Sequence, residues 1–550
     1  MKHRIEGNII DIEHREIFEG SIEFEDGIIT DIKKHPTSNN EYLLPGFIDA
    51  HVHIESSMLT PRMFGQWILP HGTVAIVTDP HEIANVLGIK GIQFMIKNSR
   101  TSPIKTFFTI PSCVPATPFD ASGSILSAND TEQMAASGEF VGLSEMMNVP
   151  GVLHKDPEVM AKLEIARKYH LPIDGHAPTL TQEKLKEYID NGINTDHECS
   201  TLEEAKEKID LGMKILIREG SAAHNYEALK SLIRTHPNEV MFCTDDSHPD
   251  DIMGVGHINK LVKRSIRDGF NLFDILKIAS LNPIHHYNLD VGTLKTGDKA
   301  DFIAIDNLDN FNVTKVYING IRQYDKKEPG QSNNKTLAIT ENINNFNHKK
   351  IEKSELKKEI QDKNTVISLV KNELLTEVYT YIPKIRMSNL ESDLTQDILK
   401  IVYLNRYHNG LPQVAFCKGF QLKKGAFASS VAHDSHNIIA VGCSDEELTK
   451  AINSLIEHKG GLAVCCDNTT EILSLPVGGI MSNQDGEYVV SHYTKLNNKI
   501  QSMGCNIHSP FMTLSFLSLV VIPQIKIGEK GLFLYDSFQW IEDKEQSQTI

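Results

Sequence analysis

Residues 43–57 read LLPGFIDAHVHIESS, an apolar run with the texture of a buried strand that ends on two histidines. Side chains at i and i+2 of a strand share a face, so His51 and His53 point together while Val52 packs on the other side. Two imidazoles placed in this way suit a metal ion.

Seven further short apolar runs follow: TVAIVTDPHE, KTFFTIPSC, EFVGLSEMM, PIDGHAP, INTDHEC, KILIREG and EVMFCTDDS. Between them, DPEVMAKLEIARKYH, TQEKLKEYIDNG and STLEEAKEKIDLG carry helix-start residues and a helical apolar period. Eight strand–helix alternations over about 240 residues predict an α/β fold, a (β/α)8 TIM-type barrel spanning 43–286.

Outside the alternations the texture changes. GNIIDI and GSIEFEDGIITDI in the first 42 residues read as strands joined by tight turns, and VGTLKTGDKADFIAIDNLDNFNVTKVYINGIRQY repeats that pattern. Segments 1–42 and 287–325 are therefore expected to pair into one small, composite, β-sandwich-like domain. The polar stretch 326–356, rich in Asn and Lys, reads as a linker. Residues 357–550 mix the helical SDEELTKAINSLIEHKG with the strands HNIIAVGC and GLAVCC, which predicts a separate C-terminal α+β domain.

With 550 residues, 40% hydrophobic and 23% charged, the chain has a soluble globular composition and the length of two to four domains. Its formal charge of −17, from 55 basic and 72 acidic residues, argues against broad binding to nucleic acid phosphates. A base or nucleoside is compatible with it as a small substrate. No run approaches the roughly 18 apolar residues of a membrane helix, and FMTLSFLSLVVIP at 511–523 is short and interrupted by Thr and Ser. No charged N-terminus leads into an apolar cleavage region. Eight cysteines without a paired framework fit a reducing compartment, so a cytoplasmic protein is expected.

In barrels of this kind the active site lies at the C-terminal ends of the strands. Here His51 and His53 end the first run, Glu145 the fourth, His176 the fifth, His197 the sixth and Asp245 the eighth. Singly, each has an ordinary reading as a hydrogen-bonded histidine or a helix cap. Jointly, five of eight predicted strands would have to place metal-type ligands on one rim by accident, which favours a metal site. Neutral imidazoles and carboxylates bind divalent first-row metals, and a carboxylate between two ions bridges them. Water on such an ion loses its proton near neutral pH and becomes a hydroxide nucleophile. The eighth-strand carboxylate beside it can pass that proton to a leaving group. The chemistry is hydrolysis.

GFIDAHVH, DGHAP, DHE and TDD, in this order, resemble the amidohydrolase superfamily. More narrowly, PGFIDAHVHIESSMLTP, TDPHEIANV, GLSEMMNVPGV and FCTDDSHPDD resemble the bacterial adenine deaminases, and the likeness extends to SVAHDSHNIIAVG and SLPVGGIMS near the end of the chain. The resemblance implies that His51, His53, Glu145, His176, His197 and Asp245 hold a binuclear divalent centre of Mn2+ or Fe2+, with Zn2+ as a further option. Glu145 would bridge where many relatives use a carbamylated lysine, because FVGLSEMM contains no lysine. It also implies hydrolysis of adenine to hypoxanthine and ammonia in purine salvage: metal-bound hydroxide attacks C6 and Asp245 carries the proton to the exocyclic nitrogen.

Attack at C6 requires protonation of a ring nitrogen, and TDPHE supplies candidates. Glu82 is expected as substrate contact and acid, and Asp79 and His81 as orienting groups or ligands of a further ion, although DPHE also reads as a helix start. Glu55, Ser56 and Ser57 lie just past the first ligands as supporting groups or a cap. Arg218 and Ser221 face a pocket or, in the favoured reading, Arg218 forms an ordinary salt bridge; the direction of His248 is open. His433, Asp434 and His436 have metal-binding residue types but no distant partner in sequence, so a lid or an oligomer contact is expected there, within a homo-oligomer (dimer). Expected partners are thus adenine and a second copy of the chain, with no nucleic acid and no membrane.

The alternatives are an amidohydrolase acting on a cyclic amide or a different aminopurine, and a barrel that binds without catalysis. The compact zinc nucleobase deaminases are excluded, since their P-C-x-x-C motif does not occur.

Overall fold

The computed structural model describes residues 2–221, 223–328, 343–370, 374–383 and 389–541. The chain divides into two compact units. The first comprises Met1–Pro80, Gln93–Ser112 and Ser127–Ala338, and the second His81–Ile92, Cys113–Leu126 and Ile339–Ile550. Of the expected linker, 329–342 lie outside the described residues.

The first unit is built on the expected parallel barrel. Its first five strands are Phe47–Val52, Thr73–Thr78, Lys105–Ile110, Phe140–Met146 and Ile173–Gly175, hydrogen-bonded in that order. Thr195–Asp196, Lys214–Arg218 and Val240–Cys243 continue it. Two parallel bridges, Ile173 to Ile193 and Val52 to Asp245, close the ring. The first, second and eighth strands are buried along their whole length, which is why they read as continuous apolar runs rather than alternating ones. Intervening helices begin where their caps dictate. Asp156 accepts from the amides of Glu158 and Val159 to start Pro157–Lys168, and Thr201 accepts from Glu204 N to start Leu202–Asp210.

The β segments on either side of the barrel in sequence form one seven-stranded sheet, in the order Ile321–Asp325, Val313–Ile318, Phe302–Ile305, Tyr42–Pro45, Lys2–Asp11, Glu16–Glu25 and Ile28–Lys34. Tyr42–Pro45 joins the two sets, pairing parallel with Lys2–Asp11 and antiparallel with Phe302–Ile305. It leads through Gly46 into the first barrel strand. A Cβ on Gly46 would stand 2.2 Å from Val74 Cγ1, so only glycine lets the chain enter the barrel here.

The second unit centres on a nine-stranded sheet in which Ile398–Leu404 and Ile438–Gly442 are central. Helix Asp445–His458 packs Leu448, Ala451, Ile452 and Leu455 into its core, and Ser444 caps that helix at Glu447 N. No helix among the described residues is long and apolar enough to cross a membrane.

Candidate metal centre

The barrel strands deliver the six expected side chains to one buried cluster. At the seam where the ring closes, Asp245 N donates to His51 O at 3.0 Å and His53 N to Asp245 O at 3.3 Å, so the first and eighth strand ends are locked together. Within the cluster, His51 Nε2 and His53 Nε2 lie 3.4 and 3.2 Å from Asp245 Oδ1. The Glu145 carboxylate is divided between two histidine pairs. Its Oε1 lies 3.8 Å from His51 Nε2 and 3.2 Å from His53 Nε2, and its Oε2 lies 2.7 Å from His176 Nδ1 and 3.3 Å from His197 Nε2. The His51 and His197 rings stack at 4.4 Å.

Such a donor set, four imidazoles with a carboxylate between them, fits two divalent first-row ions sharing a bridge. Three overlapping triads each bring their ligand atoms within 4.8 Å of one another: His51, His53 and Asp245; His51, Glu145 and His197; His176, His197 and Glu198. The His53 ring is oriented from behind, its Nδ1 lying 3.1 Å from the Asp79 carbonyl.

Electrostatics match a cation site. Burial acts to raise the Glu145 carboxyl, but the charge of His197 and hydrogen bonds from His176, His197 and His53 hold it well below the usual carboxylate range. Asp245 is likewise held well below that range, against burial, chiefly by the Arg218 guanidinium. Burial lowers His53 and His197, yet the neighbouring carboxylates push both well above the ordinary imidazole value. The cluster thus keeps its carboxylates ionised and draws positive charge to itself.

Two further residues belong to the cluster. Glu198 Oε1 lies 3.3 Å from His197 Nε2 and 3.7 Å from His176 Nδ1. Arg218 Nη1 donates to Asp245 Oδ2 at 2.6 Å and also to Glu198. The ordinary salt bridge expected of Arg218 is therefore an ion pair with a site carboxylate. Asp79 offers a carboxylate oxygen within 4.8 Å of ligand atoms of His53 and Glu145. Ser56 Oγ donates to Asp246, Ser57 Oγ closes the local turn on Ile54 O at 2.6 Å, and Ser221 Oγ accepts from His248 N at 2.8 Å. Glu55 is buried in the same turn.

Glu82 lies in the second unit, at the start of helix His81–Leu87. Its Oε1 lies 2.5 Å from His433 Nδ1, and its Oε2 contacts His436 Nε2. His81 Nε2 lies 3.3 Å from Glu82 Oε1 and 3.9 Å from Asp434 Oδ1. The partners that His433, Asp434 and His436 lack in sequence are thus His81 and Glu82, and His81, Glu82 and Asp434 have the spacing to hold an ion.

Residues 42–322 match the amidohydrolase family, and residues 373–539 match the adenine deaminase C-terminal domain. The chain is 47% identical to an adenine deaminase of Methanosarcina mazei and 46% identical to one of Sulfurovum sp. NBC37-1. The first alignment covers 98% of each chain, and the second 98% of this chain and 99% of the relative. Among solved structures, a β-aspartyl dipeptidase of Fervidobacterium islandicum is similar at 16% identity and a TM-score of 0.46, over 59% of this chain and 97% of that one.

Proposed function

We propose, for a chain that belongs to the adenine deaminases of the amidohydrolase family, that the barrel rim hydrolyses adenine to hypoxanthine and ammonia, as a purine salvage step. One observation supports the site assignment above the others: a single carboxylate, Glu145, shared between the His51/His53 pair and the His176/His197 pair. In this reading His51, His53, His176, His197, Glu145 and Asp245 would hold the divalent ions, with Glu145 placed between the two histidine pairs. Manganese(II) or iron(II) is the assigned metal, with zinc(II) also suited to the donor set. When bound, such ions supply Lewis acidity that makes water nucleophilic at neutral pH.

The chain's own residues do the rest. Asp245 accepts the proton that water loses as it adds to C6, and delivers it to the exocyclic nitrogen, so that ammonia leaves. Asp79, just past the end of the second strand and within reach of His53 and Glu145, is assigned to orienting the purine ring. Eight free thiols suit a reducing cytoplasm.

The test is ammonia release from adenine, beside adenosine, guanine and dihydroorotate, by protein reconstituted with manganese(II) or iron(II). Adenine alone should turn over, and Asp245→Asn should lose about 10²- to 10⁴-fold in kcat. Turnover of dihydroorotate instead would replace the deaminase with a cyclic amidase.

A further inference from the structure

Asp245 has two oxygens with different neighbours. Oδ1 lies 3.4 and 3.2 Å from the Nε2 atoms of His51 and His53, while Oδ2 accepts from Arg218 Nη1 at 2.6 Å. The guanidinium is itself clamped, since Glu198 accepts from Nη1 through Oε1 and from Nη2 through Oε2, the latter at 3.1 Å. All three side chains are largely or wholly withdrawn from solvent, with Arg218 6% and Asp245 5% exposed.

Asn225 sets this clamp in register. Its Oδ1 accepts from Arg218 N at 2.7 Å, and its own N donates to Arg218 O at 3.0 Å. Its Nδ2 donates to His197 O at 3.1 Å and Cys199 O at 3.2 Å, the residues on either side of Glu198. One amide therefore fixes both halves of the ion pair. Asp245 meanwhile sits at φ +55°, a left-handed conformation uncommon for residues other than glycine, of the kind that persists where surrounding structure over-determines it. A buried ion network is weak evidence for stability, because apolar side chains of similar volume often serve as well or better. Its use here lies in orientation.

We propose that Arg218, held by Glu198, is a positioning residue that occupies Oδ2 of Asp245 and so fixes the plane of the carboxylate, with Oδ1 kept on the histidine side. This rests on the assignment of Asp245 as the proton carrier. Without the guanidinium the carboxylate turns about its last torsion, which is broad and nearly two-fold, and neither oxygen keeps its place beside the histidines. Misplacement on the scale of 1 Å costs about 100-fold in rate.

The experiment compares wild type, Arg218→Ala, Arg218→Lys and Glu198→Gln, each loaded with manganese(II). It measures bound metal per chain and manganese(II) affinity of the apo protein, kcat and KM for adenine, and rescue by guanidinium chloride against an equal ionic strength of sodium chloride. Expected for Arg218→Ala are full metal content, KM within about threefold of wild type, and kcat lower by about 10- to 100-fold. Guanidinium, but not sodium, should then restore kcat with saturation. If the alanine variant does not fold, Arg218→Lys and Glu198→Gln carry the test, with a smaller loss confined to kcat. A kcat within twofold of wild type, or a loss that follows loss of metal and is not rescued, overturns the positioning role. Wild-type protein inactive on adenine would instead overturn the deaminase reading, a different and separately visible failure.

Discussion

Glu145 shows how much one residue decides. A carboxylate presents two equivalent acceptors, and here one faces His51 and His53 and the other His176 and His197. An amide of the same shape has one acceptor and one donor, so Glu145→Gln can serve only one pair. Metal content should fall from about two ions toward one per chain, with turnover lower by more than about 100-fold, since loss of supporting groups alone costs 10- to 100-fold. Metal analysis beside ammonia release checks this, and a variant with two ions and undiminished turnover would remove Glu145 from the bridge. The histidines and Glu145 were legible in sequence because a strand end is readable and the rim of a barrel is a known place. Glu198 was not. In a continuing strand it would face away from His197, but the strand stops at Asp196, whose Oδ2 accepts from Glu198 N at 3.2 Å and turns the chain back toward the site. Nor does sequence say that Arg218 and Asp245, 27 residues apart, meet on adjacent strand ends.

At the scale of elements, the barrel was readable from its long apolar strands, whereas Ile173–Gly175 and Thr195–Asp196 have three and two residues and no periodicity of their own. The histidines just past their ends, rather than any strand pattern, marked them. Strand Ile525–Gly528 in the second unit holds a different anomaly: Lys526 is fully buried, donates to Leu374 O at 2.9 Å, and is lowered by burial to about 7 from 10.5. The unfolded chain then binds more protons than the folded one between pH of about 7 and 10.5. Stability therefore rises with pH across that window, by up to about 1.4 kcal/mol per unit, and the penalty is constant below it. Lys526→Met removes the penalty. Urea unfolding should show the variant more stable than wild type by a few kcal/mol at pH 7, with the gap closing as pH rises toward 10. A gap of the same size at both ends of that range would mean that the lysine is charged in the folded strand.

For the whole molecule, the sequence order suggested a barrel followed by a separate domain, and the structure groups His81–Ile92 and Cys113–Leu126, which lie within the barrel's stretch of sequence, with Ile339–Ile550. No local pattern announces such a grouping, because it rests on contacts such as Glu82 with His433, 351 residues apart. Each unit thereby carries its own buried histidine–carboxylate cluster. In the first, Glu145 and Asp245 are buried, Glu198 is largely withdrawn from solvent, and all three carboxyls are held below their usual range, so cations bound there would stabilise the fold as well as the reaction. An ion that binds only the native state at a thousandfold excess over its Kd contributes about 4 kcal/mol. Dialysis against a chelator should therefore lower the melting temperature by several degrees, and manganese(II) should restore it. His176→Ala distinguishes the two clusters, because it touches the rim and leaves Glu82, His433 and His436 intact. If the rim supplies the stabilisation, the manganese-dependent shift shrinks in this variant; an undiminished shift would assign it to the cluster around Glu82 and leave the rim without the ions that the hydrolytic reading requires.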